Sequence, residues 1–245
     1  MSVLSVFAPR RFGRLFLSDA MNVSRDPTLM FGTVLSIVPA IAFHFGAEAM
    51  DRAALAAFDI EALSRYVAAV AICLPAFIIG WVTGFLFLED RDEGPLLALD
   101  TTPTGKSGFM AYRISVTVLL AVGVTLVGAP IMIPEADWPL AVLISALVAM
   151  QAVASALVLP ALARNKVEGL AITKLVNIAS AGALLAAIPS PLRYLGGFVP
   201  TFWVGELLGL SSSPHLPMIV IALLAFTVHI AAAVVLYRFA NRQAG

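Results

Sequence analysis

Charged residues are scarce in this 245-residue sequence, at 12% of the total, where a soluble domain has roughly a quarter. It has one cysteine, Cys73, which excludes an internal disulfide. The three histidines lie far apart in sequence, and none has a cysteine or carboxylate at metal-ligand spacing. The formal net charge is zero, which gives no basis for a nucleic-acid partner. Hydrophobic residues instead make up 60% of the chain and form several runs of about 20 residues, enough to cross a bilayer.

The length of these runs predicts an all-α, polytopic membrane protein in a single domain, 1–245. Six spans are expected, at about 27–46, 63–88, 109–132, 139–163, 170–188 and 217–237. Residues 1–26 interleave arginine with phenylalanine and leucine, which favours an amphipathic helix in the membrane interface over a disordered tail. Residues 47–62 carry several charges and are expected to form an external loop. Residues 189–216 are apolar but broken by proline and glycine, which predicts a re-entrant or interfacial pair of short helices.

The distribution of basic residues predicts the orientation of the chain. With six spans, twelve of the fifteen Lys and Arg residues fall in segments that face the same side as the termini. The positive-inside bias therefore places both termini in the cytoplasm of a bacterial-type inner membrane. Tyr112 and Arg113, at the start of the third span, are expected to be interfacial anchors.

The polar stretch 89–106, between the second and third spans, contains five of the fifteen acidic residues and must lie in water. Its middle is apolar, from Pro95 to Leu99, and favours a short helix that Thr102 and Pro103 would end. Such a helix could lie along the membrane face and offer leucines to a soluble partner. An ordinary solvated loop explains the same residues equally well.

The sequence has few residues that could form a catalytic or ligand-binding site. Gly105-Lys106-Ser107 ends like a phosphate-binding loop, but Asp100 stands where the first glycine is required, so no nucleotide site is expected. The spans contain no paired carboxylates of the kind that an ion-coupled carrier uses. His229 lies within the last span, where packing or a helix–helix hydrogen bond is favoured over a functional role. A transport protein of this composition would need an external source of energy, such as a cytosolic ATPase bound to 89–106.

Two motifs lie in the polar connections between spans. The first consists of Glu89, Asp92, Glu93, Gly94, Leu96, Leu97, Leu99, Thr102 and Pro103. The second consists of Asn165, Lys166, Glu168 and Gly169. The first resembles the charged-Gly-x-Leu coupling segment, and the second resembles the second inner loop, of permease subunits of type-2 ABC exporters, particularly the fluoroquinolone-type drug-export branch. Pro95 departs from the family pattern, in which threonine or a similar residue is expected.

The resemblance implies a dimer of permeases, identical or not, with two separate ATPase subunits that hold ATP and Mg, while this chain has no cofactor, metal or catalytic residue. Residues 89–103 would dock in the ATPase, with 164–169 as a secondary contact. The substrate path would run between two permease copies, lined by the second and fifth spans and shaped by Gly80, Gly84 and Glu206. Simpler alternatives are a Lys166–Glu168 surface ion pair and an exposed loop carboxylate at Glu206.

The sequence therefore predicts a non-enzymatic subunit of an ATP-driven exporter that moves a hydrophobic or amphipathic molecule, drug-like or lipid-like, out of the cytoplasm. Two alternatives remain open: a secondary transporter that works alone, and a structural subunit of a membrane complex that transports nothing.

Overall fold

The computed structural model describes residues 8–92, 105–211 and 216–243, and every regular element in those ranges is a helix. The all-α prediction is confirmed. The α-helices are α1 Pro9–Arg25, α2 Pro27–Leu35, α3 Val38–Phe58, α4 Leu63–Ala71, α5 Leu74–Asp92, α6 Gly105–Met132, α7 Trp138–Leu162, α8 Lys166–Ile178, α9 Pro200–Leu207 and α10 Met218–Gln243. Two 3-10 helices, Ala179–Ala187 and Pro191–Phe198, lie between α8 and α9.

The amino-terminal helix α1 is amphipathic, as predicted for 1–26. It begins at Pro9, a favourable first position because the missing N–H would have had no partner in the first turn. Phe12 and Leu15 pack on Phe109 and Tyr112 of α6, while its amino-terminal arginines are exposed. The alternative of a disordered tail is therefore wrong for the described part of this segment.

The first predicted span, 27–46, is longer and less regular than expected. Helices α2 and α3 are bent by 41° across a two-residue break. Pro39 lies at the start of α3, where proline favours a new helix. Helix α3 then continues to Phe58, so the external loop predicted at 47–62 is wrong over 47–58. Alanine is abundant in that stretch, and its helix propensity is high.

The centre of the bundle is formed by α5, which continues α4 as the second span, and by α7, the fourth span. In the most apolar 18-residue stretch of each span, 83% of the residues are buried in span 63–91 and 61% in span 138–162, against 28% in α6 and 17% in α10. The second span is thus surrounded by protein on most sides. The third and sixth spans lie at the periphery.

Two glycines allow α5 and α7 to approach closely, as the small-xxx-small pattern predicts. A Cβ on Gly80 would lie 2.5 Å from the Cβ of Ser155 and 2.6 Å from the carbonyl oxygen of Ala152. A Cβ on Gly84 would lie 3.1 Å from the carbonyl oxygen of Ala156. No side chain fits at Gly80 without displacing the neighbouring helix.

The fifth predicted span, 170–188, consists of α8 and the 3-10 helix Ala179–Ala187. Helix α8 begins earlier than predicted because Asn165 caps it, with its Oδ1 accepting the N–H of Glu168 at 3.0 Å. The pair of short helices predicted within 189–216 corresponds to the 3-10 helix Pro191–Phe198 and α9.

By length and composition, five helical segments of the described residues can each cross a bilayer, and the bent pair α2–α3 would be a sixth. Large apolar side chains face outward on the peripheral helices, including Leu119 and Val127 of α6 and Ile219 and Leu223 of α10. Such a surface suits a lipid environment, in which apolar side chains need not be buried in protein. The chain is a multi-pass membrane protein.

Candidate functional site

The described part of the first motif, residues 89–92, lies close to the second motif at one end of the bundle, where α5 ends and α6 begins; we call it the Arg113 end. The Nζ of Lys166, at the start of α8, lies 2.9 Å from Oε1 of Glu89 on α5. Arg91 donates from Nη2 to the carbonyl oxygens of Ala163 at 3.0 Å and Arg164 at 2.9 Å. The last turn of α5 is therefore tied to the α7–α8 connection.

Local hydrogen bonds order the α7–α8 connection itself. Besides the Asn165 cap, Oε2 of Glu168 accepts the backbone N–H of Arg164 at 2.9 Å. Gly169 packs on α5, where a Cβ would lie 3.1 Å from Leu88 Cδ1. Glu168 thus fixes the helix start, and the contact of Lys166 with Glu89 replaces the surface pair considered between Lys166 and Glu168.

Arg113 is buried, with 3% of its side chain exposed, and forms an ion cluster with two carboxylates. Its Nε and Nη2 donate to the two oxygens of Asp19 on α1, at 3.3 and 3.0 Å, and its Nη1 donates to Asp90 on α5. The guanidinium also lies 4.5 Å from the centre of the Phe109 ring. The prediction of an interfacial anchor is wrong, because Arg113 joins α1, α5 and α6 inside the protein.

Most of the predicted coupling segment lies outside the described residues. This holds for Glu93, Gly94, Leu96, Leu97, Leu99, Thr102 and Pro103. Asp92 is the last residue of α5, and Glu89 contacts Lys166. Within the described residues, the structure therefore brings Glu89 of the first motif into contact with Lys166 of the second motif.

A cavity of about 440 Å³ lies between the second and fifth spans. Trp81 and Ile78 of α5 line it on one side, and Leu170, Thr173 and Asn177 of α8 on the other. The side chains of α2 and α3 close a third side. Gly80 and Gly84 face α7 instead, so their position fits helix packing, and neither lines this cavity.

Glu206, on α9, is buried at the opposite end of the bundle, where the hairpin 191–207 lies; we call it the hairpin end. Its Oε1 accepts from Nε of Arg193 at 2.6 Å, and its Oε2 accepts from the hydroxyl of Tyr194 at 3.1 Å. Burial disfavours the charged guanidinium, but the hydrogen bond and charge of Glu206 outweigh it and raise the pKa of Arg193. The alternative of an exposed loop carboxylate is wrong, because Glu206 is 2% exposed.

Two buried polar side chains, Gln151 of α7 and His229 of α10, form a helix–helix contact. Nε2 of His229 on α10 lies 3.1 Å from Nε2 of Gln151 on α7, and its Nδ1 lies 2.7 Å from the carbonyl oxygen of Ala225. A proton on Nδ1 satisfies both contacts, because Nδ1 then donates to the carbonyl and Nε2 accepts from the amide. The helix–helix role favoured for His229 accounts for this geometry. Among the described residues, no group of three His, Cys, Asp or Glu could hold a metal ion.

A bundle of spans with a polar, ordered connection at one end defines the class of multi-pass membrane proteins. The profile of the family described as "Fluoroquinolones export permease protein Rv2686c-like" matches residues 19–237, and the chain belongs to that family. It is 26% identical over 215 residues to the fluoroquinolones export permease protein Rv2686c of Mycobacterium tuberculosis strain H37Rv, covering 84% of both chains. The match to the corresponding protein, MT2760, of strain CDC 1551 has the same identity and coverage. No solved structure matches the chain.

Proposed function

We propose that this permease is the membrane-spanning subunit of an ATP-driven ABC exporter that moves a hydrophobic or amphipathic molecule out of the cytoplasm. ATP and Mg are held by a separate ATPase subunit, and this chain carries no cofactor. The observation that supports this most is the set of contacts around the last turn of α5. Lys166 contacts Glu89, Arg91 contacts the α7–α8 connection, and Arg113 contacts Asp90.

Through these contacts, docking of the ATPase at 89–103 would change the positions of the spans. Residues 89–92 of this segment are the last four residues of α5. A displacement of that turn moves α6 and α1 through Arg113, because breaking a buried ion cluster costs about 3–5 kcal/mol. The partly exposed Lys166–Glu89 contact is worth about 1 kcal/mol or less and can rearrange. The ion cluster would therefore transmit the motion, while the surface pair adjusts.

The Arg113 end faces the cytoplasm in this proposal. The positive-inside bias supports that orientation, with both termini on the cytoplasmic side of a bacterial-type inner membrane. Segment 89–103 is then accessible to a cytosolic ATPase. The hairpin end with Glu206 faces outward.

The transport path is proposed at the cavity between the second and fifth spans. Leu170 and Thr173 line this cavity on α8, whose neighbouring side chains Val167 and Leu175 are 79% and 70% exposed. A second permease copy, identical or not, would complete the wall at this surface. Contacts of this kind between spans are built from packing and interhelical hydrogen bonds.

The docking claim can be tested by co-expressing the permease with a candidate ABC ATPase and measuring co-purification. Replacing Leu96 and Leu99 by Asp should abolish recovery of the ATPase, because charged side chains cannot fill an apolar groove. Leu192→Asp is the matched control, since Leu192 is 70% exposed at the hairpin end. Unchanged assembly in the double variant would overturn the docking claim.

Proteoliposomes separate the proposed function from its alternatives. Movement of an amphipathic dye that requires both the ATPase and ATP supports the exporter. Movement that the permease alone drives from an ion gradient indicates a secondary transporter. Assembly with an ATPase but no movement of any dye tested would favour a structural subunit.

A further inference from the structure

A second cavity, of about 360 Å³, lies between α1, α2, α5 and α6 at the Arg113 end. Ten of its fifteen lining residues are apolar. Four lining residues are also substantially exposed at the protein surface: Phe16 at 46%, Met30 at 49%, Val34 at 60% and Leu120 at 45%. The cavity therefore opens sideways, toward the lipid that surrounds the spans.

The charged part of this cavity is formed by the ion cluster. Asp19 and Arg113 line it directly, and Asp90 binds the far side of the guanidinium. Thr83 also lines the cavity, and its hydroxyl lies 2.7 Å from that of Thr117. Two carboxylates surround one guanidinium, so the ionised cluster has one negative charge in excess.

The contacts of Arg113 disfavour an anionic occupant. Its Nε and Nη2 are engaged by Asp19 and its Nη1 by Asp90. An anion would have to displace one of these carboxylates from a buried site, which costs several kcal/mol. A cation near Asp19 would instead neutralise the excess charge in a region of low dielectric, where that attraction is strong.

We propose that this cavity is a binding site for a lipophilic cation that enters from the leaflet at the Arg113 end. The apolar body lies against the walls formed by α2, α5 and α6. The cationic group lies at Asp19. Describing this occupant as cargo rests on the proposed export function, whereas its binding does not.

Two probes of the same shape and opposite charge test the preference: tetraphenylphosphonium and tetraphenylborate. Binding is measured by equilibrium dialysis at pH 7.5 to the full chain in zwitterionic phosphatidylcholine nanodiscs, with empty nanodiscs as background. We expect saturable binding of tetraphenylphosphonium that Asp19→Asn weakens on the order of tenfold, from the loss of one nearby charge. Binding of tetraphenylborate should not weaken in this variant. Equal binding of both ions to the native chain, or an unchanged affinity in Asp19→Asn, would overturn the proposal.

A steric variant tests the location without changing the ion cluster. Ala20 lines the cavity on α1, and Ser18 is an exposed residue of the same helix that does not line it. Ala20→Trp should abolish saturable binding of tetraphenylphosphonium, whereas Ser18→Trp should leave it unchanged. This pair decides the question if Asp19→Asn fails to fold. Equal binding in the two tryptophan variants would refute the location.

A competition experiment distinguishes a lipid from a free amphipathic cation as the ligand of this site. If doping the nanodiscs with a lipid of net positive charge, with a quaternary-ammonium headgroup and no phosphate, displaces tetraphenylphosphonium, the site is supported with a cationic lipid as its ligand. Retained binding supports the site with a free amphipathic cation as its ligand. Because dialysis needs no ATPase, a failure of binding alongside ATP-dependent transport refutes this site alone. Binding without such transport refutes the export function alone.

Discussion

The contact of Gly80 with α7 makes the strongest prediction about stability. In Gly80→Ala the new methyl group would lie 2.5 Å from Ser155 Cβ and 2.6 Å from the backbone oxygen of Ala152. Ordinary contacts of this kind are about 3.5 Å or longer, so α5 and α7 would have to separate by nearly 1 Å. Overpacking of a tight core costs about 1–3 kcal/mol, and backbone contact on the most buried span favours the upper part of that range.

Two other glycines provide graded controls for this substitution. At Gly84 the nearest backbone contact would be 3.1 Å, so Gly84→Ala should cost about 1 kcal/mol or less. Gly123 has nothing within 4 Å of its ideal Cβ, and Gly123→Ala should be neutral or slightly stabilising. The free energy of unfolding is measured by sodium dodecyl sulfate titration in mixed micelles, followed by circular dichroism. If Gly80→Ala were as stable as Gly123→Ala, the close approach of α5 and α7 would be refuted.

Three further substitutions test the polar contacts by the same titration. Glu206→Leu leaves Arg193 buried without its carboxylate, so we expect a loss of about 3–5 kcal/mol, much of which the double variant Arg193→Met/Glu206→Leu should recover. Lys166→Ala should change the free energy of unfolding by less than about 1 kcal/mol, because the side chains of Lys166 and Glu89 are 43% and 26% exposed. Arg113→Lys retains the charge but not the three directed contacts, so it should destabilise the protein more than Lys166→Ala does.

Distinct results would contradict each of these expectations. Similar stability of Glu206→Leu and the native chain would mean that the buried pair contributes little. A loss above about 2 kcal/mol in Lys166→Ala would assign that pair a larger role than its exposure allows. Full stability in Arg113→Lys would show that charge alone, without directed hydrogen bonds, holds the ion cluster.

Much of the helical architecture could be predicted from the sequence, because a run of about 20 apolar residues can satisfy its backbone in a membrane only as a helix. The extension of α3 to Phe58 is not evident from the apolar pattern, because charged residues interrupt a stretch whose alanines favour a helix. Pro39 could have predicted the break before α3, since proline favours the first turn of a helix.

The polar contacts were harder to predict because they join distant parts of the chain. Asp19 and Arg113 are 94 residues apart, and neither has a local pattern that identifies its partner. The second motif lies where α7 passes into α8, and residues 89–92 of the first motif form the end of α5. Their contact through Lys166 and Glu89 depends on how α5 and α8 pack. Tyr112 and Arg113 form the pattern of an interfacial anchor pair, and the burial of Arg113 cannot be predicted from that local pattern because it depends on the packing of α1 and α5.

The change from α-helix to 3-10 helix within the fifth span alters which side chains stand in a row. A 3-10 helix repeats every three residues, so Ser180, Ala183 and Ala186 form a straight ridge, and all three are buried. Gly205 of α9 lies directly against that ridge, where its ideal Cβ would be 2.8 Å from Ala186 Cβ. Each residue also advances about 2.0 Å along the axis, against 1.5 Å in an α-helix, so the same number of residues covers more of the membrane thickness. Small side chains at every third position of this half of the span therefore allow the backbone of α9 to approach it closely at Gly205.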